Sequence, residues 1–370
     1  MRIVVTGGDG FIGRNLRIRL RELGHGDVVS ITRATRDASL RAALAEADFV
    51  FHLAGVNRPK DVAEYEQGNA GLTVSLCSIL RATGRRVPLV YSSSTQATLD
   101  NPYGRSKRAG EIEVERYGAS TGSPVFVLRL TNVFGKWCRP NYNSAVATFC
   151  HNIARGLAIT VSDPDAALRL LYIDDVVEGM IRLLDPAEGT PGSVELGPTY
   201  ATTVGEVAAI LQAFAESRRT LMIPPVGTGL TRALYATYLS YLSPADFEYG
   251  LRRQTDTRGV FVEMLKTPEY GQFSYFTAPP GVTRGEHYHH SKTEKFLVVK
   301  GTARFGFRHI LSNETHELVV EGDAAQIVET VPGWTHNITN IGSEEMVVLL
   351  WANEVFDPQH PDTIVSKVNP

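Results

Sequence analysis

The stretch that most restricts the fold lies at the start of the chain. Ile3-Val4-Val5-Thr6 runs directly into Gly7-Gly8-Asp9-Gly10-Phe11-Ile12-Gly13, and then into a segment that mixes Arg with Leu and Ile. Strand, glycine loop and helix in that order form the opening unit of a parallel sheet. Glycines at this spacing let the backbone turn, approach a pyrophosphate and pack helix against strand. The helix N-terminus adds free N–H groups and the positive end of its dipole. Gly7, Gly10, Phe11, Ile12, Gly13 and Arg14 are therefore candidate contacts of a dinucleotide.

The alternation continues. A strand over 27–32 ends in Arg33, where an acidic residue would accept a ribose 2′-hydroxyl, and Arg36 follows. With Arg14, these guanidiniums suit a 2′-phosphate, which favours NADP(H) over NAD. Arg36 reads equally well as a solvated surface residue. A third strand over 49–53 leads into Leu53-Ala54-Gly55, two further candidate cofactor contacts being Leu53 and Ala54. A helix over 63–83 carries Asn69, and a buried strand begins at Leu89. Strands alternating with helices predict a doubly wound α/β sheet with right-handed crossovers.

Tyr91-Ser92-Ser93-Ser94 places hydroxyls at the carboxyl end of that strand, and Asn101-Pro102-Tyr103-Gly104-Arg105-Ser106-Lys107 follows. Tyr103 and Lys107 are one helical turn apart and share a face. A phenol with pKa near ~10 is a poor proton shuttle at neutral pH, and an adjacent ammonium is expected to lower it. Tyr103 can then protonate a carbonyl oxygen as hydride arrives, with Ser94 holding that oxygen. Further along, 199–219 has a helix-like pattern, Pro224-Pro225-Val226-Gly227 is a loop, and short helices are expected over 231–242 and 244–251.

The second dense set of functional side chains is Gly285-Glu286-His287-Tyr288-His289-His290, followed by Glu294. Alternation along a strand puts His287 and His289 on one side. A turn over 291–293 brings Glu294 back opposite them, and His336, after Pro332-Gly333, offers a fourth ligand. Nitrogen and carboxylate donors of this kind suit a divalent transition metal, Zn²⁺ first. His290, Glu286 and Tyr275 are candidate bases nearby.

Length and composition limit the alternatives. At 370 residues the chain exceeds one ordinary core, so an α/β domain over 1–243, a linker over 244–255 and an all-β domain over 256–370 are expected. A net charge of −3 leaves no basic surplus for nucleic acid or an anionic membrane. No signal peptide or membrane span is read, and three cysteines without metal spacing suit a reducing cytoplasm.

Two resemblances follow from these residues. The spacing of Gly281, His287, His289, Glu294 and Gly301, then Pro332, His336 and Asn340, resembles the paired motifs of the cupin superfamily, small metal-bearing antiparallel barrels. The interval from Gly322 to Pro332 is longer than that family's. The glycine loop, His52-Leu53-Ala54-Gly55, Asn69, the serine run and Tyr103 with Lys107 resemble the extended short-chain dehydrogenases acting on nucleotide sugars. That resemblance implies that Asn69 supports the proton-relay helix, and that Asn132, Arg139, Asn141 and Arg169 lie toward the substrate nucleotide. The interval from the serines to Tyr103 is shorter than usual there.

The fusion as a whole is similar to bifunctional capsular and O-antigen polysaccharide enzymes. The resemblance implies C3 epimerisation of a UDP-linked 4-keto-6-deoxy-HexNAc in the cupin, then NADPH-dependent reduction at C4. The product would be UDP-2-acetamido-2,6-dideoxy-L-talose, on the path to UDP-N-acetyl-L-fucosamine. A homodimer or higher homo-oligomer is expected of it. Two other readings stay open: a single-activity enzyme whose cupin is structural and dimerising, and a non-catalytic NADP sensor.

Overall fold

Four consecutive buried residues, Ile3–Thr6, make a strand that no polar face interrupts, as a central parallel strand requires. The computed structural model describes residues 1–187 and 189–370. In the first unit, Met1–Leu211 with Arg232–Leu242, six parallel strands run in the order Val28–Ile31, Ile3–Thr6, Phe49–His52, Leu89–Ser94, Val125–Leu130, Gly192–Val194. Helices Asp37–Ala45, Leu72–Ala82 and Pro102–Thr121 contribute Leu44, Leu76, Leu80, Val114 and Tyr117 to a core against Val4, Val50, Leu89 and Val127. A second sheet joins Asn132–Phe134 in parallel, and Thr199–Thr203 in antiparallel, to Ala167–Tyr172.

The helix expected over 199–219 is therefore a strand followed by a helix, Val204–Thr220. Thr199, Tyr200, Thr202 and Thr203 are β-branched or aromatic and suit the extended state. Thr203 and Glu206 then bond each other's backbone N–H groups, a capping box that starts the helix.

The second unit consists of Gln212–Thr231 with Ser243–Pro370, so residues 212–231 group with it and not with the α/β unit. Of the helix expected over 244–251, only the turn Pro244–Asp246 forms. It buries no residue, so nothing offsets the cost of a helix nucleus. Arg253–Asp256, expected as linker and first barrel residue, already pairs with Gly259–Thr267. Two antiparallel sheets follow. One runs Arg253–Asp256, Gly259–Thr267, Gly271–Ala278, Met346–Ala352, Glu294–Lys300, Ile327–Glu329; the other Thr315–Glu321, Thr302–His309, Trp334–Asn340, Thr283–Tyr288, Ile364–Val365. Phe276, Phe296 and Val348 from the first meet Phe305, Phe307 and Ile338 from the second in one apolar core. The long interval after Gly322 holds the short strand Ile327–Glu329, paired to 295–297. Among the described residues no helix is long and apolar enough to cross a membrane.

Candidate active site and metal centre

Strand Ile3–Thr6 has Val28–Ile31 on one side and Phe49–His52 on the other, so the chain switches direction beside it. At such a switch point, beyond the carboxyl ends of the strands, a crevice forms. Here it measures about 730 Å³, and Gly7, Gly10, Phe11, Ile12, Gly13, Arg14, Arg33 and Leu53 line it. Gly7 has φ +68°, and a Cβ there would lie 2.8 Å from the Ala54 nitrogen; at Gly13 a Cβ would lie 2.3 Å from the Gly7 carbonyl. The loop is thus closed on its own backbone and leaves its outer side to a ligand. Ala54 backs this loop without lining the cleft, its N–H donating to Thr6 Oγ1 at 3.2 Å. Arg36 does not line it either. Its carbonyl begins the helix Asp37–Ala45 and its side chain is exposed, which matches the solvated alternative.

Ser94, Tyr103 and Lys107 line the same crevice. Asn101 caps the helix Pro102–Thr121 by accepting from the Gly104 N–H at 2.7 Å, which fixes where the Tyr103 turn begins. Ser94 ends its strand and hydrogen-bonds Tyr103. Burial pushes the Tyr103 phenol up, and Ser94 offsets that only in part. The lowering expected from Lys107 is not found: Lys107 is not among the groups that shift Tyr103, and its buried ammonium donates to the Ser92 carbonyl, 2.9 Å away. Burial brings Lys107 down to about 8, against the pull of Glu111.

Behind these groups lies a hydrogen-bonded path in which the sequence reading gave a role only to Asn69. Asn69 sits in a π-helical segment, Glu66–Gly71, within the helical run that begins at Ala63. Its amide grips the Val56 backbone at 2.8 and 3.0 Å and donates to Ser106 Oγ at 2.9 Å; Ser106 in turn donates to the Tyr103 carbonyl. The Asn69 carbonyl accepts from Thr73. That uses the Thr73 hydrogen, so the buried His52 must donate through Nε2 to Thr73 Oγ1 at 3.0 Å and accept through Nδ1 from Thr6 at 2.7 Å. Burial, with Lys107 nearby, lowers His52 to about 3 and keeps it neutral. Gly55 is required by space, since a Cβ would lie 2.7 Å from Asn69 Oδ1 and 3.1 Å from Lys107 Nζ. One turn beyond Lys107, burial alone would raise Glu111, but Arg129, Ser93 and Arg108 hold it at about 2.

Of the residues expected toward the substrate, Asn132 and Arg139 line the cleft; Asn141 and Arg169 do not. Arg169 contributes only its carbonyl, to Thr131 and Asn132. Trp137, Tyr142 and Asn143 line it unforeseen. Arg139 lies over the Tyr142 ring at 5.3 Å, and Asn143 accepts from Arg58 at 3.2 Å. Consecutive aromatic and basic residues after Gly135 were the available signal.

In the second unit, one donor atom from each of His287, His289, Glu294 and His336 falls within 4.8 Å of the others. His287 and His336 are direct partners across antiparallel strands. Glu294 enters on the facing sheet, its N–H bonded to Thr330 at 2.8 Å. Burial alone would raise Glu294, but His289, His336 and Lys292 hold it well below the carboxylate range. Burial, and then His336, lowers His287 to about 4, so its ring is neutral and free to ligate. Both ring nitrogens of His336 are buried without a hydrogen-bond partner, the Glu294 oxygen at 3.5 Å being no hydrogen bond. An imidazole left unpaired in a buried site beside a carboxylate fits a metal ligand set.

The three candidate bases lie elsewhere. His290 is exposed, Tyr275 alternates to the face opposite Ser274 and Phe276, and the Glu286 carboxylate accepts from Asn337 and the Val368 N–H, both at 2.8 Å. Beside Glu294 is a cavity of about 160 Å³ that includes Gln272, Ser274, Lys292 and Glu354. Lys292 Nζ lies 3.1 Å from Glu294 Oε1.

A glycine-loop crevice at a switch point, lined also by Ser94, Tyr103 and Lys107, has the form of a dinucleotide-binding α/β unit. Residues 3–197 match the NAD dependent epimerase/dehydratase family, and residues 254–364 match the polysaccharide biosynthesis C-terminal domain. The chain belongs to the NAD dependent epimerase/dehydratase family, in the form fused to that C-terminal domain. It is 54% identical over 368 residues to UDP-2-acetamido-2,6-beta-L-arabino-hexul-4-ose reductase of Pseudomonas aeruginosa, covering all of this chain and 99% of that protein. The crystal structure of capsular polysaccharide assembling protein CapF from Staphylococcus aureus superposes with a TM-score of 0.92 at 42% identity, over the whole of both chains. UDP-glucuronate 4-epimerase 1 of Arabidopsis thaliana is 27% identical over 321 residues, 69% of this chain and 73% of that protein.

Proposed function

We propose that this chain is an NADPH-dependent reductase of a UDP-linked 4-keto-6-deoxy-HexNAc that also epimerises the sugar at C3, in cytoplasmic synthesis of a surface-polysaccharide precursor. The observation that carries the reading is the end-to-end likeness to a reductase of such a UDP-sugar, with a Ser94, Tyr103 and Lys107 set in the cleft. The Gly7–Gly13 loop with Arg14 and Arg33 would hold NADPH, which when bound would supply hydride to C4. Tyr103 donates its phenolic proton to the C4 oxygen, and Ser94 holds that oxygen. A raised phenol pKa keeps Tyr103 protonated near neutrality, the state a proton donor needs. Lys107 holds the cofactor ribose and replenishes the proton path. Asn69 and Ser106 fix the turn that carries Tyr103.

In the second unit, His287, His289, Glu294 and His336 hold a divalent metal, Zn²⁺ by donor type. Such an ion supplies Lewis acidity toward an enolate oxygen. Hydrogen at C3 is alpha to the C4 ketone, and inversion removes it on one face and returns one on the other. Lys292 and Glu354 are the titratable groups available to that exchange in the cavity beside Glu294.

The test is incubation of the purified chain with NADPH and UDP-linked 4-keto-6-deoxy-HexNAc, with metal analysis alongside. The expected result is NADPH consumption, a C3-inverted 4-hydroxy product and about one metal ion per chain. Reduction without inversion would leave a single-activity reductase with a structural metal.

A further inference from the structure

The C-terminal segment lies against the strand and turn that carry the metal-capable histidines. Asp362 stands some seventy residues after them, yet its carboxylate accepts from the backbone N–H groups of His290, Ser291 and Lys292 at 2.9, 2.7 and 2.8 Å, and from the Ser291 hydroxyl at 3.0 Å. Those residues form the turn between His289 and Glu294. The Asp362 carbonyl also bonds His289 Nδ1. A carbonyl can only accept, so Nδ1 carries the hydrogen and Nε2 is the nitrogen left to face the cluster. That Nε2 lies 3.3 Å from a Glu294 oxygen, so the ring faces the cluster through this nitrogen.

The segment is fastened on both sides of His287. Val365 pairs with His287 and Ile364 with Tyr288. Ser366 N–H donates to the Glu286 carbonyl at 2.9 Å and Val368 N–H to the Glu286 carboxylate, with Val368 buried. Arg308 bonds the Lys367 carbonyl at 2.8 Å and the Ser366 hydroxyl at 2.9 Å.

We infer that residues 362–368 are a strap that sets the metal affinity of the cluster, with Asp362 as the positioning residue that fixes the His289 tautomer and the His289-to-Glu294 turn. The strap and the metal then stabilise each other, because an ion bound to His289 Nε2 holds the same ring whose Nδ1 holds the strap. The inference rests on the cluster's holding a metal and not on which reaction the site serves.

Metal-free full-length protein is titrated with Co²⁺, read by its d–d absorption, and Zn²⁺ affinity is measured by competition with a chromophoric chelator. Asp362→Ala should weaken both metals by about tenfold to hundredfold and shift the cobalt bands. Asp357→Ala is the control, since the Asp357 side chain bonds only its neighbours Gln359 and His360, and it should change neither. Equal affinity and spectrum in Asp362→Ala and wild type, or an equal loss in both variants, overturns the strap. A wild type that takes up no cobalt overturns the metal reading and the strap together. Should Asp362→Ala fail to fold, amide exchange in the wild type decides: chelation should speed exchange at Ser366 and Val368, and unchanged exchange overturns the proposal.

Discussion

In the first unit Lys107, Asn69 and His52 all find hydrogen-bond partners within the chain, whereas in the second His336 keeps both ring nitrogens buried and unpartnered. The cleft of about 730 Å³ is complete as a protein structure and leaves its volume to large ligands. The histidine cluster has beside it a cavity of only about 160 Å³, and its unpaired imidazole suits a small cation. Buried polar atoms are costly to leave unpaired, so under the proposed function the two centres differ in what they take: a cofactor and sugar in one, an ion in the other. Variants of one should therefore spare the other.

The largest expected effect is at Tyr103. Tyr103→Phe should lower the rate of NADPH oxidation on the order of 10³-fold, the range for losing a positioned general acid, with metal content unchanged by elemental analysis. Gly55→Ala comes next, because its methyl would press on Asn69 and Lys107. A displacement of this kind costs on the order of 10²-fold in kcat, measured by steady-state kinetics, and zinc binding should not change. Arg33→Ala should weaken NADPH binding by about tenfold while leaving NADH binding nearly unchanged, by fluorescence titration, since this guanidinium is exposed.

The smallest effect is a pH dependence confined to the first unit. Lys107 is lowered to about 8. Below that pH the ammonium is already charged; above it, binding of NADPH must draw a proton from solvent. Affinity measured calorimetrically should be flat below pH 8 and fall above it, and the inflection should vanish in Lys107→Ala. An inflection retained in that variant would assign it to another group.

The same contrast explains what the sequence disclosed. Tyr103 and Lys107 lie one turn apart on one helix, and His287, His289 and Glu294 lie on two strands joined by a tight turn, so local spacing alone brings each set together. Even His336 was legible from its turn after Gly333. Apart from Asn69, supplied by the family resemblance, the supporting groups were not. His52 and Thr6 come from two strands, Glu111 on a helix meets Arg129 on the strand that follows, and Asp362 returns some seventy residues after the turn it holds. Only the strand order and the strap bring these into contact. Thr199–Thr203 failed for another reason: a short threonine-rich segment beside a genuine helix has no periodicity of its own, and pairing with Ala167–Leu171 decides its state. The expectation for Arg36 rests on its place after the second strand, and those for Asn141 and Arg169 on the family resemblance; neither says where a side chain points.

The division of chemistry between the two units is tested most directly by solvent exchange. The UDP-linked 4-keto sugar is incubated in D₂O with Tyr103→Phe and with His336→Ala, and deuterium at C3 is followed by NMR. Tyr103→Phe should incorporate deuterium at C3 without oxidising NADPH, and His336→Ala should lose both the metal and the exchange. A Tyr103→Phe protein that incorporates no deuterium, or a metal-free His336→Ala protein that still does, would contradict the account.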